Sequence, residues 1–160
     1  MAKYKHRIAD RLLERKILGK GAVLIEGPKW CGKTTTAKQI AKSVLDLGDS
    51  SVLMQSSQMI EFSPKTVLEG ATPRLVDEWQ ALPAIWDSIR CEVDKRGEPS
   101  QFILTGSSVL PEADATIHSG TGRFAHLKMR TMSLYESGES SGAVSLKDLF
   151  EGKDIEACTN

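Results

Sequence analysis

Eight consecutive residues, Gly27-Pro28-Lys29-Trp30-Cys31-Gly32-Lys33-Thr34, carry the strongest chemical signal in this sequence. The pattern is a glycine, four variable residues, then Gly-Lys-Thr. Glycine at both fixed positions lets the backbone turn tightly, so that N–H groups along the loop can surround phosphate oxygens. Lys33 then supplies positive charge to β- and γ-phosphates, and the Thr34 hydroxyl is a hard oxygen ligand for Mg²⁺. Thr35 is placed to reach an α-phosphate, and the start of the following helix adds its dipole. The variable side chains carry less. Pro28, Lys29, Trp30 and Cys31 count with the nucleotide-binding loop, while the Trp30 side chain reads as packing against a neighbouring surface and Cys31 as a small buried side chain. A low-pKa thiol at a helix N-terminus is the alternative for Cys31.

Phosphoryl transfer also needs a carboxylate for the metal and an oriented water. Leu75-Val76-Asp77-Glu78 is a short apolar run ending in two carboxylates. Neighbouring side chains at a strand end diverge, so Asp77 is assigned to Mg²⁺ alongside Thr34, and Glu78 to the attacking water as general base. Gln101-Phe102-Ile103-Leu104-Thr105-Gly106-Ser107-Ser108 is a second apolar run ending in hydroxyls. Ser107, with Thr105 next, is the candidate for sensing the γ-phosphate, against a plain polar turn. Arg123, in Gly120-Thr121-Gly122-Arg123, is either an arginine that stabilises charge on a neighbouring subunit's nucleotide or an ordinary surface arginine. His6, His118 and His126 form no ligand cluster.

These groups need elements to hold them. Ile8, Leu12, Leu13 and Ile17 recur at helical spacing, so a helix is expected over residues 4–18, closed by Gly19 and Gly21. Strands are expected at Ala22 to Glu26, residues 51–55, Arg74 to Asp77, Gln101 to Thr105 and His126 to Arg130. Helices are expected from Thr34 to Asp46, from Leu82 to Lys95 and after Ser145, with loop and short helix over residues 56–72. Arg74 is out of place in a buried strand and is expected to snorkel from its exposed end. Strands alternating with helices predict an α/β fold: a mostly parallel five-stranded sheet with helices on both faces, in three layers.

The bulk composition excludes several classes of function. The 160 residues suit one domain, with 40% hydrophobic and 26% charged residues. Formal net charge is zero, which removes a bulk electrostatic case for nucleic acid or membrane binding. The basic residues of the first helix read as a solvated face. Three dispersed cysteines, Cys31, Cys91 and Cys158, argue against a disulfide framework or zinc site and fit a reducing cytoplasm. Aliphatic runs of four or five residues are far short of a membrane span. Ser137 to Gly142 turns to Ser, Gly and Glu, so residues 1–136 are expected to form the core, with 1–20 as its entry segment and 137–160 as linker and short helix.

The sequence resembles the ATPase core of a large prokaryotic family of AAA-type proteins whose longer members carry a helical lid and a second domain. The pieces that match are Glu26-Gly27-Pro28 through Lys33-Thr34-Thr35-Thr36-Ala37, then Pro73-Arg74-Leu75-Val76-Asp77-Glu78-Trp79-Gln80, with Phe102 to Ser108 and Gly122-Arg123 in support. The resemblance implies a P-loop NTPase sheet of the additional-strand type, in which the strand bearing Thr105 lies between those of the loop and of Asp77. It implies ATP and Mg²⁺ as ligands, and self-association or a further domain as partner. Tyr4 and Arg7, in the entry segment, would lie near the adenine. Lid and second domain are expected to be absent, because the chain stops soon after Phe150. Against hydrolysis stand two other readings: a nucleotide-dependent switch with little turnover, and a small-molecule kinase, for which an Arg-rich lid is missing.

Overall fold

A computed structural model describes residues 4–106 and 122–153. The chain divides into two compact units, one of residues 8–131 and a smaller one in which residues 4–7 join residues 132–153.

The larger unit is built on five strands: β1 (Ala22–Glu26), β2 (Ser43–Asp46), β3 (Arg74–Asp77), β4 (Phe102–Gly106) and β5 (Phe124–Lys128). Every pairing is parallel, and the order is β2-β3-β4-β1-β5. The three central strands are apolar on both sides, so each side needs its own cover of helices. Ala22, Leu24, Val76, Phe102 and Leu104 face one core, which the helices α3 (Ser50–Ile60), α4 (Pro64–Leu68) and α5 (Ala84–Arg96) complete. Val23, Ile25, Leu75 and Ile103 face the other, beneath α1 (Ile8–Gly19) and α2 (Lys33–Lys38). That alternation along single strands produces the three-layer architecture. Trp86 of α5 stacks on Phe124 at 4.3 Å and touches Trp79 at 5.2 Å, which ties β5 to the centre of the larger core.

Two expectations are corrected. Residues 51–55 are not a strand: they belong to α3. Asp49 caps that helix, its carboxylate accepting from the backbone N–H groups of Ser51 (2.8 Å) and Val52 (3.3 Å). Val52, Leu53, Ser56 and Ile60 then fall on the core side at helical spacing. The second strand is Ser43–Asp46, inside the stretch expected to be helical; α2 ends at Lys38. As an edge strand β2 needs only one buried side chain, Leu45, so its apolar signal is slight.

Arg74 does not snorkel. Its guanidinium folds over Gly70, donating from Nη1 to Ser43 Oγ (3.3 Å) and from Nη2 to the Val67 carbonyl (3.4 Å). Burial lowers its pKa from the ordinary arginine value. The remaining shifts are small. The first helix starts at Ile8, α5 starts two residues late, ends one late and closes on Gly97 in the left-handed conformation, β4 starts one residue late and β5 two residues early.

In the smaller unit, α6 (Leu134–Ser137) starts with a reciprocal cap between Ser133 and Glu136. Glu136 also accepts from Arg7 Nε at 3.0 Å, and Lys5 Nζ donates to the Ser137 carbonyl at 2.6 Å. The helix α7 (Leu146–Phe150) is capped by Ser145, as its sequence predicts.

Candidate functional site

The parallel sheet places the C-terminal ends of β1, β4 and β3 side by side. Glu26, the last residue of β1, pairs with Gly106 of β4, and Thr105 of β4 pairs with Asp77 of β3. The chain leaving Glu26 therefore emerges beside the polar ends of two neighbouring strands.

The glycine-bounded loop begins at that point. Gly27 passes so close to the chain after β5 that a Cβ there would overlap the Met129 carbonyl. Gly32 enters α2 at φ 97, where an L side chain would be strained. Between them Pro28, Lys29 and Trp30 are exposed to differing degrees; Trp30 holds a left-handed φ of 69 and shows 91% of its surface. Cys31 is buried in the core beneath α1 and α2, with Sγ 3.9 Å from the Met129 carbonyl. That matches its reading as a small packing side chain.

Lys33 is buried although charged, so its ammonium must find acceptors. It turns back on its own loop, donating to the carbonyls of Gly27 (2.9 Å) and Pro28 (2.8 Å). Thr34, one residue on, donates from Oγ1 to Asp77 Oδ1 at 2.9 Å. The same carboxylate oxygen accepts from Thr105 Oγ1. Asp77 and Thr105 are buried and Thr34 is half-buried, and a carboxylate and two hydroxyls from three elements meet there. Thr35 faces solvent, its carbonyl accepting from Gln39 Nε2 at 3.0 Å.

Glu78 leaves this cluster. Its backbone is left-handed (φ 53, ψ 43), which costs a residue with a Cβ about 1 kcal/mol. The turn starts a short 3₁₀ segment, Trp79–Ala81. Gln80 Nε2, from that segment, donates to Glu78 Oε2.

Arg123 lies elsewhere. It precedes the first residue of β5, which pairs with the first residue of β1, so it sits at the opposite end of the sheet. Five strand residues, about 17 Å, separate it from the loop within one chain. Its Nε donates to Asp94 Oδ1 at 2.5 Å, and Lys20 Nζ donates to the Gly122 carbonyl at 2.9 Å. The guanidinium holds the Asp94 carboxyl below the ordinary aspartate range. Ser107 lies outside the described residues. Tyr4 and Arg7 are in the smaller unit, where the Tyr4 ring meets His6 edge-on at 5.6 Å.

Sequence reasoning ranked Thr105 behind Ser107 and gave Gln80 no role. An inward hydroxyl one residue before a strand's end was the available signal for Thr105. Gln80 carried none, because no local pattern marks its contact with Glu78 across the turn into the 3₁₀ segment. Among the described residues, His, Cys, Asp and Glu form no cluster of three or more that could hold a metal ion, and no helix is long and apolar enough to cross a membrane.

Comparison with known proteins places the chain in a family. Two uncharacterized proteins, from Mycobacterium bovis and Mycobacterium tuberculosis, are each 24% identical to the chain over 139 residues. The match covers 86% of this chain and 31% of each relative, so the chain spans about a third of the length of the curated relatives it matches. The solved structure of C. elegans PCH-2 is similar at a TM-score of 0.48 with 16% identity, over 81% of this chain and 41% of that one. The family model for an AAA domain matches residues 19–138, which include the loop, β3, β4 and β5. With three quarters of its length matched, the chain belongs to the AAA domain family.

Proposed function

We propose that the chain binds ATP with Mg²⁺ in the loop Gly27–Thr34 and hydrolyses it, coupling the cycle to a change in how the domain meets a partner. The observation that carries this reading is the convergence of Thr34 and Thr105 on one buried oxygen of Asp77. A buried carboxylate beside a threonine hydroxyl is a hard-oxygen donor pair of the kind Mg²⁺ prefers. Thr34 would ligate the ion directly and Asp77 through water. When bound, Mg²⁺ would neutralise phosphate charge and polarise the γ-phosphoryl group.

The chain's own residues divide the remaining work. Lys33 exchanges its two loop carbonyls for β- and γ-phosphate oxygens, and loop N–H groups take the rest of the phosphate charge. Thr34 would release Asp77 to ligate the ion, and Thr105 would keep the carboxylate in place. Glu78 accepts a proton from the attacking water as the water oxygen bonds to the γ-phosphorus and the bond to the ADP oxygen breaks. Ser107 senses the γ-phosphate, and Tyr4 and Arg7 border the adenine, as in the family the sequence resembles. Arg123, at the far end of its own sheet, would serve only a neighbouring copy's nucleotide. Residues 1–136 would be the nucleotide-binding core, and 137–160 a linker and short C-terminal helix.

Turnover and Mg-ATP affinity, measured together on the parent and on Glu78→Gln, test this. The expected result is binding within about twofold of the parent and turnover reduced at least about a hundredfold, the usual range for a lost general base. Undiminished turnover in the variant would remove Glu78 from the mechanism. Binding with no turnover in either protein would favour a nucleotide-dependent switch.

A further inference from the structure

We propose that Gln80 is a positioning residue for Glu78; the inference rests on the assignment of Glu78 as general base. A glutamate has three rotatable bonds, and a base must stand within about 2.6–3.2 Å of the proton it takes. An unrestrained carboxylate at a strand end spends little time in any one such place. Here it is restrained, because Gln80 Nε2 donates to Glu78 Oε2. The amide orientation is dictated by charge: an amide oxygen in that place would face a carboxylate with no proton between them.

The far end of the same amide is seated as well. Gln80 Oε1 lies over Gly106, where an added Cβ would overlap it and would also crowd Trp79 Nε1. Gly106 ends β4 and pairs with Glu26, the residue before the phosphate loop. Gln80 therefore runs from the strand beside the loop to the carboxylate of Glu78. On the other flank, a Cβ on Gly48 would stand 3.7 Å from Glu78 Cγ. The chain turns at Glu78, whose backbone is left-handed, and the amide of Gln80 meets the Glu78 carboxylate across that turn. Glu78 is thus held from its backbone, from its amide partner and from the glycine behind that partner. Gln80 touches no reacting atom; it acts through Glu78.

The test uses the full chain with Gln80→Met, which keeps the length of the side chain and removes the donor, and Gly106→Ala, which displaces the amide from its seat. Displacing a base by about an ångström costs on the order of a hundredfold in rate, so kcat is expected to fall about ten- to hundredfold in both variants. KM and Mg-ATP affinity should stay within about twofold, and the thermal midpoint of Gln80→Met should match the parent. A merely structural role would move KM and the midpoint along with kcat. Parental kcat in Gln80→Met, beside an inactive Glu78→Gln, overturns the role of Gln80 and spares that of Glu78. Parental turnover in Glu78→Gln overturns both. The contact is also read without turnover, from the Gln80 side-chain amide resonances. Glu78→Ala should shift them, and unchanged resonances overturn the proposal whatever the enzyme does.

Discussion

The phosphate-loop site and the Arg123 cleft handle charge in opposite ways. At the C-terminal end, Lys33, Asp77 and Thr105 are buried, and their polar groups are bound to particular partners. At the N-terminal end, Arg123 and Asp94 form an ion pair in contact with water, in an open cleft that Lys20, Val93 and Glu98 also line. The difference follows from solvent. A buried polar group without a partner is costly, so its geometry is fixed by the fold, whereas an exposed one can exchange its partner for water at little cost. A ligand at the C-terminal end must replace bonds already made, and the site is therefore shaped before anything arrives. The Arg123–Asp94 pair, open to water, is not fixed in that way.

If that contrast is right, substitutions at the C-terminal end should matter most. Lys33→Met keeps the buried stem and removes the ammonium. Charge-assisted hydrogen bonds are worth about 1.5–3 kcal/mol, so Mg-ATP should bind roughly ten- to hundredfold more weakly. Calorimetric titration checks this, and parental affinity would break the comparison at its strongest point. Thr105→Val comes next. It is nearly isosteric, but the buried Asp77 carboxylate loses a donor, which should destabilise the fold by about 1.5–3 kcal/mol. Denaturant unfolding of the ligand-free chain measures that loss without any assumption about catalysis. Gly27→Ala should cost about 1–3 kcal/mol by overpacking, since its Cβ would meet the Met129 carbonyl, a backbone atom that cannot rotate aside. Nucleotide affinity should fall with it, because the loop is the part that must shift.

The same contrast explains what could be read from the sequence. Ala22–Glu26 and Arg74–Asp77 were legible almost to the residue, because central strands must be apolar on both faces and glycine or proline marks their ends. The loop was legible because each fixed position has a steric or chemical duty. The edge was not. Ser43-Val44-Leu45-Asp46 buries one side chain, whereas Val52-Leu53-Met54 offers a longer apolar run that suits strand or helix equally, and the cap at Asp49 was the deciding signal. The place of β4 between β1 and β3 is a long-range pairing that no local pattern encodes; it came from family resemblance. Glu136 as partner of Arg7 was hidden for the same reason, 129 residues apart, although Ser133 and Glu136 have the spacing of a capping box.

The smallest effect is expected at Arg123. Its bond to Asp94 depresses the Asp94 carboxyl, so any stabilisation is present above the unfolded aspartate pKa of about 3.9 and is lost as pH falls through the lower folded value. Both side chains are solvent-accessible, however, and water and salt screen the pair. Asp94→Asn should therefore leave the thermal midpoint at neutral pH and physiological salt unchanged within error. A slight loss should emerge only at low ionic strength, and it should vanish again in acid, where the parental carboxyl is also neutral. Arg123→Ala should behave alike in folding. If either variant unfolds several degrees early at neutral pH, the N-terminal end is as firmly built as the other and the contrast fails. If neither does, Arg123 is free of structural duty in its own chain. Mixing Arg123→Ala with Glu78→Gln then isolates its proposed duty toward a neighbour. Each variant alone lacks one group, but in a mixed assembly a subunit with intact Glu78 can face a neighbour with intact Arg123. Turnover that returns on mixing assigns Arg123 to the adjoining site, and turnover that stays absent leaves it a surface arginine.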